Sequence, residues 1–148
     1  MIAQQALPQT TKPLAVLLVE DDVPTSELME MALRSFGHNC RVVHDGTAAL
    51  AAIADHRPDV VISDLEMPGM NGVELCRHIR ADAKDISRIY FIILSGFDDA
   101  AHHAAGAAAG ADDFQHKPVD LAKLESSLET AAAIWWRATC SPSAHGTS

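Results

Sequence analysis

Five charged or polar residues fall where apolar runs end, and their types suit phosphoryl chemistry. Glu20 and Asp21 follow the first apolar run, Asp64 follows the third, Ser95 the fourth, and Lys117 a weaker fifth run. Carboxylates that a fold brings together repel one another unless protons or a cation offset their charge. Mg²⁺ prefers such oxygen ligands, and an ionised aspartate beside it can attack phosphorus to form an acyl phosphate. The pattern predicts a magnesium site with Asp64 as nucleophile, and with Lys117 and Ser95 contacting the phosphate.

The apolar runs that carry these residues are typical of strands in a parallel sheet. The first, third and fourth runs are apolar at consecutive positions, as in strands that helices cover on both faces. The runs are Leu14 to Val19, Cys40 to Val43, Val60 to Ser63, Tyr90 to Leu94 and a weaker one around Phe114. Helical periodicity between them predicts a doubly wound α/β domain with right-handed crossovers. Ligands bind such sheets beyond the carboxyl ends of the strands, so the chemically useful residues should converge there.

Several residues mark where the intervening helices begin and end. Pro24 suits the first turn of a helix, and Asn71 followed by Glu74 forms a capping-box pattern. Gly37 and Gly110 fit helix exits, where a left-handed backbone is common. These signals support five helices alternating with five strands.

Composition restricts the class of protein. The chain has 148 residues, a hydrophobic fraction of 48% and a net charge of −9, which suits one soluble domain and disfavours direct binding of nucleic acid. The three cysteines have no CxxC spacing, so we expect neither a disulfide framework nor a zinc site, and a reducing cytoplasm suits them. The sequence shows no membrane span and no signal peptide.

The termini differ from the central part of the chain. Residues 1–13 are polar and contain two prolines, which predicts a flexible N-terminal segment. We place the folded domain at residues 14–133 and a C-terminal extension with a loose tail at residues 134–148. Trp135 and Trp136 are adjacent, so one helix face cannot bury both, and a homodimer or partner contact is an alternative to packing on the domain.

Four sequence blocks together resemble the receiver domain of bacterial two-component response regulators, of the chemotaxis-regulator type. They are VLLVEDD (16–22), DVVISDLEMPGMNG (59–72), IILSG (92–96) and GADDFQHKP (110–118). The blocks occur in the family's order and cover nearly all of the expected domain. The resemblance implies a flavodoxin-like fold with five parallel strands in the order 2-1-3-4-5.

The resemblance also assigns the metal and phosphoryl sites by position. Asp64 corresponds to the phosphoacceptor, Asp21 to the direct Mg²⁺ ligand, and Glu20 to an acidic neighbour that usually acts through water. The backbone carbonyl of Glu66 corresponds to a further metal ligand. Lys117 matches the family's catalytic lysine.

Two further positions match the family's conformational switch. Ser95 corresponds to the switch hydroxyl and Phe114 to the switch aromatic, and the bond between Lys117 and Pro118 is often cis in this family. The hypothesis is that phosphate on Asp64 draws in the Ser95 hydroxyl and leaves space that Phe114 fills.

The resemblance implies a regulatory protein that catalyses only its own phosphoryl transfer and dephosphorylation. Its expected partners are a sensor histidine kinase or phosphotransfer protein and a downstream protein target. One alternative is a receiver fragment of a longer regulator or hybrid kinase. A Mg²⁺-dependent aspartyl-phosphate hydrolase is disfavoured because DLEMP follows the third run instead of DxDx[TV]. A phosphorylation-independent binding module is disfavoured because Asp21, Asp64, Ser95 and Lys117 occur together.

Overall fold

The computed structural model describes residues 13–82, 89–97 and 99–140, and it contains one sheet. The strands are β1 (Ala15–Val19), β2 (Asn39–Val43), β3 (Val60–Asp64), β4 (Tyr90–Ser95) and β5 (Asp113–His116). All four strand pairs are parallel, and the order across the sheet is β2-β1-β3-β4-β5. The predicted parallel sheet and its strand order are therefore confirmed.

Within the described ranges, five helices connect or follow the strands, and polar side chains fix where they begin. They are α1 (Val23–Ser35), α2 (Gly46–Asp55), α3 (Gly72–Ala81), α4 (Ala100–Ala109) and α5 (Leu121–Cys140). The predicted capping box of α3 is confirmed, since Asn71 and Glu74 each accept the other's backbone N–H at 2.9 Å. Gly110 ends α4 with a φ of 101°, the left-handed backbone that favours glycine.

The core consists of two apolar layers, one on each face of the sheet. Alternate residues of each buried strand enter opposite layers, so Val61 faces one layer and Val60 and Ile62 face the other. One layer contains buried side chains of α2, α3 and α4, and the other contains those of α1 and α5. This two-sided covering explains why the central strands are apolar at consecutive positions.

Cys40 and Cys76 are buried free thiols, and burial raises the pKa of each to about 11. Among the described residues, no helix combines the length and apolar character that crossing a bilayer requires. The side chains of Trp135 and Trp136, on which the homodimer alternative depends, lie outside the described part of the chain, as do residues 1–12 and 141–148.

Candidate functional site

Three carboxylates meet at the carboxyl edge of the sheet. Val19 of β1 lies beside Ser63 of β3, so the residues that follow each of them, Glu20 and Asp64, are brought together. One carboxylate oxygen from each of Glu20, Asp21 and Asp64 lies within 4.8 Å of the others. Glu20 is 2% exposed and Asp64 is 4% exposed. The fold thus assembles the acidic cluster that strand-end positions predicted.

Lys117 reaches this cluster from the loop after β5. Its Nζ atom lies 2.6 Å from Asp64 Oδ1 and 3.5 Å from Glu20 Oε1. Its backbone N–H donates to the Ser95 carbonyl at 2.7 Å, which fixes the loop against the end of β4. The Lys117–Pro118 peptide bond is cis. The predicted convergence of Asp21, Asp64 and Lys117 is observed.

Burial and neighbouring charge shift the titration of the central pair. Burial raises the pKa of Asp64 to about 7, the charge of Glu20 adds to this effect, and Lys117 opposes it. Burial of the Lys117 amine lowers its pKa, but the hydrogen bond and charge of Asp64 and the charge of Glu20 outweigh this and raise it. Lys117 therefore stays charged at neutral pH, while ionising Asp64 next to Glu20 is unfavourable until further positive charge is supplied.

The donor set fits a hard divalent cation. All three side chains offer a carboxylate oxygen as ligand. Among the described residues, Glu20 Oε1 and Asp64 Oδ1 are buried, and the Lys117 ammonium is the charged group beside them. Oxygen ligands of this kind suit Mg²⁺, and no nitrogen or sulfur ligand competes within the cluster. The Glu66 carbonyl remains a predicted ligand.

Two backbone contacts that sequence reasoning did not identify hold the acidic residues in place. His44 Nδ1 donates to the Glu20 carbonyl at 2.8 Å, and the Asp22 N–H donates to Glu20 Oε2 at 3.2 Å. Asp22 itself caps α1 by accepting from the Thr25 N–H at 3.0 Å. Asp22 is thus a helix cap. The sequence carries no pattern that would have linked His44 to Glu20 across 24 residues.

Gly72 lets α3 begin directly against the backbone of Asp64. A Cβ atom at this position would lie 2.6 Å from the Asp64 carbonyl oxygen, far closer than side-chain atoms approach backbone. The Gly72 N–H also donates to the Leu65 carbonyl at 3.0 Å. Glycine is required at this position because of close approach.

Ser95 is fully buried at the end of β4, and its hydroxyl contacts the side chain of Glu66. Ser95 Oγ donates to Glu66 Oε2 at 2.8 Å and accepts the Phe97 N–H at the same distance. The Gly96 N–H makes a longer contact of 3.4 Å with Glu66 Oε1. Glu66 was predicted to act through its backbone carbonyl, and the contact of its side chain with Ser95 could not be inferred from spacing.

Phe114 lies on β5 and packs against α4. Its ring is half-buried, with its centroid 4.2 Å from that of His103. A Cβ atom at Gly106 would lie 2.9 Å from Phe114 Cδ2. The aromatic ring therefore occupies space that a glycine in the middle of α4 leaves open.

The sequence matches a known family over most of its length. The sequence model of the response regulator receiver domain matches residues 16–129. A "DNA-binding response regulator MtrA" from Mycolicibacterium paratuberculosis is 40% identical over 103 residues, which are 70% of this chain and 44% of that relative. The matched part of this chain thus spans less than half the length of that relative.

Solved structures give the same result. A putative response regulator from Chloroflexus aurantiacus superposes with a TM-score of 0.77 at 31% identity, covering 82% of this chain and 99% of that one. The receiver domain of the sensor histidine kinase PA1611 from Pseudomonas aeruginosa, described with a magnesium ion coordinated in its active site cleft, superposes with a TM-score of 0.75. It is 28% identical and covers 82% of this chain and 99% of its own.

Proposed function

The chain belongs to the response regulator receiver domain family, and from this premise we propose that it accepts a phosphoryl group on Asp64 and acts as a phosphorylation-dependent signalling switch. The observation that supports this most directly is the pair formed by Asp64 and Lys117, whose reactive atoms lie 2.6 Å apart. Both sit at the edge of the sheet where α/β proteins bind ligands.

We propose that Glu20, Asp21 and Asp64, with the backbone carbonyl of Glu66, hold Mg²⁺ at this site. A bound Mg²⁺ would offset the negative charge of the carboxylates and of the phosphoryl group during transfer. The clustering of three carboxylates around two buried oxygens supports this assignment. Glu20 and the Lys117 ammonium flank Asp64 and orient its oxygens.

The transfer follows from the chemistry of these side chains. An Asp64 carboxylate oxygen attacks phosphorus, the phosphorus–nitrogen bond of a phosphohistidine donor breaks, and the donor imidazole leaves with the bonding electron pair. We propose that the Lys117 ammonium and the Ser95 hydroxyl contact oxygens of the transferred group. The protein is thus a regulator that reacts at its own aspartate and turns over no separate substrate.

An exposed apolar surface beside Lys117 supports docking of a helical phosphohistidine protein. Leu28 and Met31 of α1 are 69% and 68% exposed, and exposed apolar side chains that lie close together often mark a binding surface. A cavity of about 360 Å³ separates α1 from the loop after β5, and Leu28, Lys117, Pro118 and Leu121 line it. A sensor histidine kinase or phosphotransfer protein bound here would bring its imidazole close to Asp64.

We propose that output passes through protein contacts on the face that contains α4, β5 and α5. Phe114 packs between β5 and α4, and the Lys117 N–H ties β5 to Ser95. A change at Ser95 could reach this face through these contacts. The DNA-binding description belongs to the MtrA relative, which is more than twice the matched length, and the acidic charge of this chain favours a protein target.

Intact mass measurement after incubation with acetyl phosphate and Mg²⁺ tests the proposal. We expect one phosphoryl adduct in the unmodified chain, and no adduct in Asp64→Asn or when EDTA removes the metal. Asp59→Asn is a matched control, because Asp59 accepts the Ala15 N–H at the amino-terminal ends of β1 and β3, far from the site at their carboxyl ends. Absence of an adduct in the unmodified chain would instead favour a phosphorylation-independent binding module.

A further inference from the structure

The Glu66 carboxylate holds the Ser95 hydroxyl. Glu66 is exposed in the loop after β3, whereas Ser95 is fully buried. The carboxylate reaches over the end of β4, where Oε2 accepts the Ser95 hydroxyl at 2.8 Å and Oε1 lies 3.4 Å from the Gly96 nitrogen. One carboxylate therefore binds a side-chain donor and the adjacent backbone donor.

These two donors are also placed to serve a phosphoryl group on Asp64. Asp64 pairs with Leu94 in the sheet, so Ser95 and Gly96 follow directly beside the end of β3. A serine hydroxyl carries one proton and can donate it to a single strong acceptor at a time. One of its two lone pairs accepts the Phe97 N–H at 2.8 Å. The hydroxyl can therefore serve Glu66 or a phosphoryl oxygen, but not both.

We propose that Glu66 is a positioning residue that competes with the phosphoryl group for the Ser95 hydroxyl and the Gly96 N–H. This inference rests on the proposed phosphorylation of Asp64. In the unphosphorylated chain the carboxylate keeps Ser95 directed towards the loop after β3. Phosphorylation transfers both donors to the phosphoryl oxygens and releases the Glu66 side chain.

The structure provides space and charge for the released carboxylate. Glu66 lines an open groove of about 690 Å³ between the loop after β3 and the start of α4. Arg77 of α3 lines the same groove and offers a guanidinium group to a carboxylate. Phe97 also lines the groove, half exposed and stacked on His102 at a centroid distance of 4.5 Å. Displacement of Glu66 would therefore alter the groove surface and the Phe97 backbone contact together.

A double-mutant cycle separates competition for donors from simple charge repulsion. The probe is beryllofluoride, a stable phosphoryl analogue, titrated at saturating Mg²⁺ and followed by fluorine NMR. We expect Glu66→Ala to raise the affinity about fivefold, because a hydrogen bond to a charged acceptor no longer has to be broken. In a Ser95→Ala background the same change should raise affinity by less than about twofold, since only the longer contact with the Gly96 N–H is then contested.

Matched variants complete the test. Glu74→Gln removes a carboxylate that lines the same groove while glutamine keeps the α3 capping box, and its affinity should equal that of the unmodified chain. Glu66→Gln keeps a weaker acceptor and should fall between the unmodified chain and Glu66→Ala. Without the analogue, Glu66→Ala should also shift the amide resonances of Gly96 and Phe97.

Two results would overturn the inference while leaving the proposed function intact. One is an equal gain from Glu66→Ala with and without Ser95, which would show that charge repulsion alone acts. The other is an unchanged affinity in Glu66→Ala. Failure of the unmodified chain to bind beryllofluoride at all would overturn the proposed function as well.

Discussion

At the scale of single residues, the site contains more negative than positive charge. Among the described residues, Glu20, Asp21 and Asp64 face one ammonium, that of Lys117. Because Glu20 and Asp64 are buried, water screens this imbalance poorly, and a proton or a cation must offset it. The site is therefore costly to form in the ionised state without metal, and this cost can be measured.

Asp64→Asn should stabilise the metal-free protein at high pH. The pKa of Asp64 is about 7 in the folded protein and 3.8 in the unfolded chain. Protonated Asp64 therefore contributes fully to the free energy of unfolding below the unfolded pKa, and this contribution is lost as pH rises through about 7. Urea unfolding in EDTA should show Asp64→Asn more stable at pH 8 by about 4 kcal/mol, with the difference shrinking towards pH 5.

The control for this measurement is Glu27→Gln, which removes one exposed carboxylate from α1. It should change the free energy of unfolding by less than about 0.5 kcal/mol at every pH. A stability difference between Asp64→Asn and the unmodified chain that did not vary with pH would contradict the assigned shift.

Lys117→Met should have opposite effects on metal binding and phosphorylation. Removing the ammonium 2.6 Å from Asp64 eliminates repulsion of an incoming cation, so Mg²⁺ affinity should rise by about threefold to tenfold. The yield of phosphoryl adduct should fall, because a positive charge that stabilises the transferred group is lost. Calorimetric titration of Mg²⁺ and intact mass measure the two effects, and a drop in Mg²⁺ affinity would refute the prediction.

At the scale of secondary structure, α4 is held less firmly than α3. Only Gly106 and Ala109 are buried in α4, whereas α3 buries Gly72, Val73, Leu75, Cys76 and Ile79. A helix with few buried apolar contacts opens and shifts at lower energetic cost. This difference suits the proposed output face, which contains α4.

Gly106→Ala tests how α4 accommodates Phe114. In a free helix alanine would stabilise by about 1 kcal/mol relative to glycine, but its Cβ would lie 2.9 Å from Phe114 Cδ2. We expect a net loss of about 1 kcal/mol in urea unfolding and a displaced Phe114 ring by NMR. The same change in a Phe114→Ala background should stabilise the protein, and destabilisation in both backgrounds would exclude this explanation.

At the scale of the whole molecule, the two ends of the strands serve different purposes. The carboxyl ends carry the charged site, whereas hydrogen bonds stabilise the structure around the amino ends. Arg80 at the end of α3 donates to the carbonyls of Gly110 and Ile89 at 3.0 and 2.7 Å and pairs with Asp112 at 2.9 Å. One side chain thus joins α3, the start of β4 and the turn before β5.

Arg80→Met should therefore destabilise the fold without altering the site. Loss of hydrogen bonds to two carbonyls and one carboxylate should cost about 2–3 kcal/mol in urea unfolding. Arg80→Lys should recover only part of this, because a single ammonium cannot reproduce the guanidinium geometry. Mg²⁺ affinity should stay within about twofold of the unmodified chain, and a larger change would show that the two ends of the strands are coupled.

Much of this organisation could be predicted because its determinants are local in the sequence. Consecutive apolar residues specify strands covered on both faces, and the Asn71 and Glu74 pair specifies a helix start within four residues. Strand ends of a parallel sheet meet at one edge, so the convergence of Asp21, Asp64 and Lys117 followed from the order of elements. The resemblance to receiver domains supplied the strand order.

Other features depend on contacts that form only when separate elements pack together. Glu66 reaches Ser95 across 29 residues, His44 reaches the Glu20 carbonyl across 24, and Gly106 makes room for the Phe114 ring. No periodicity encodes these contacts, since side-chain direction and distance arise only once the sheet has formed and α4 has packed on it. The fold class and the charged ends of the strands follow from the residues alone, whereas packing of the elements establishes which hydroxyl, carboxylate and ring lie within reach of one another.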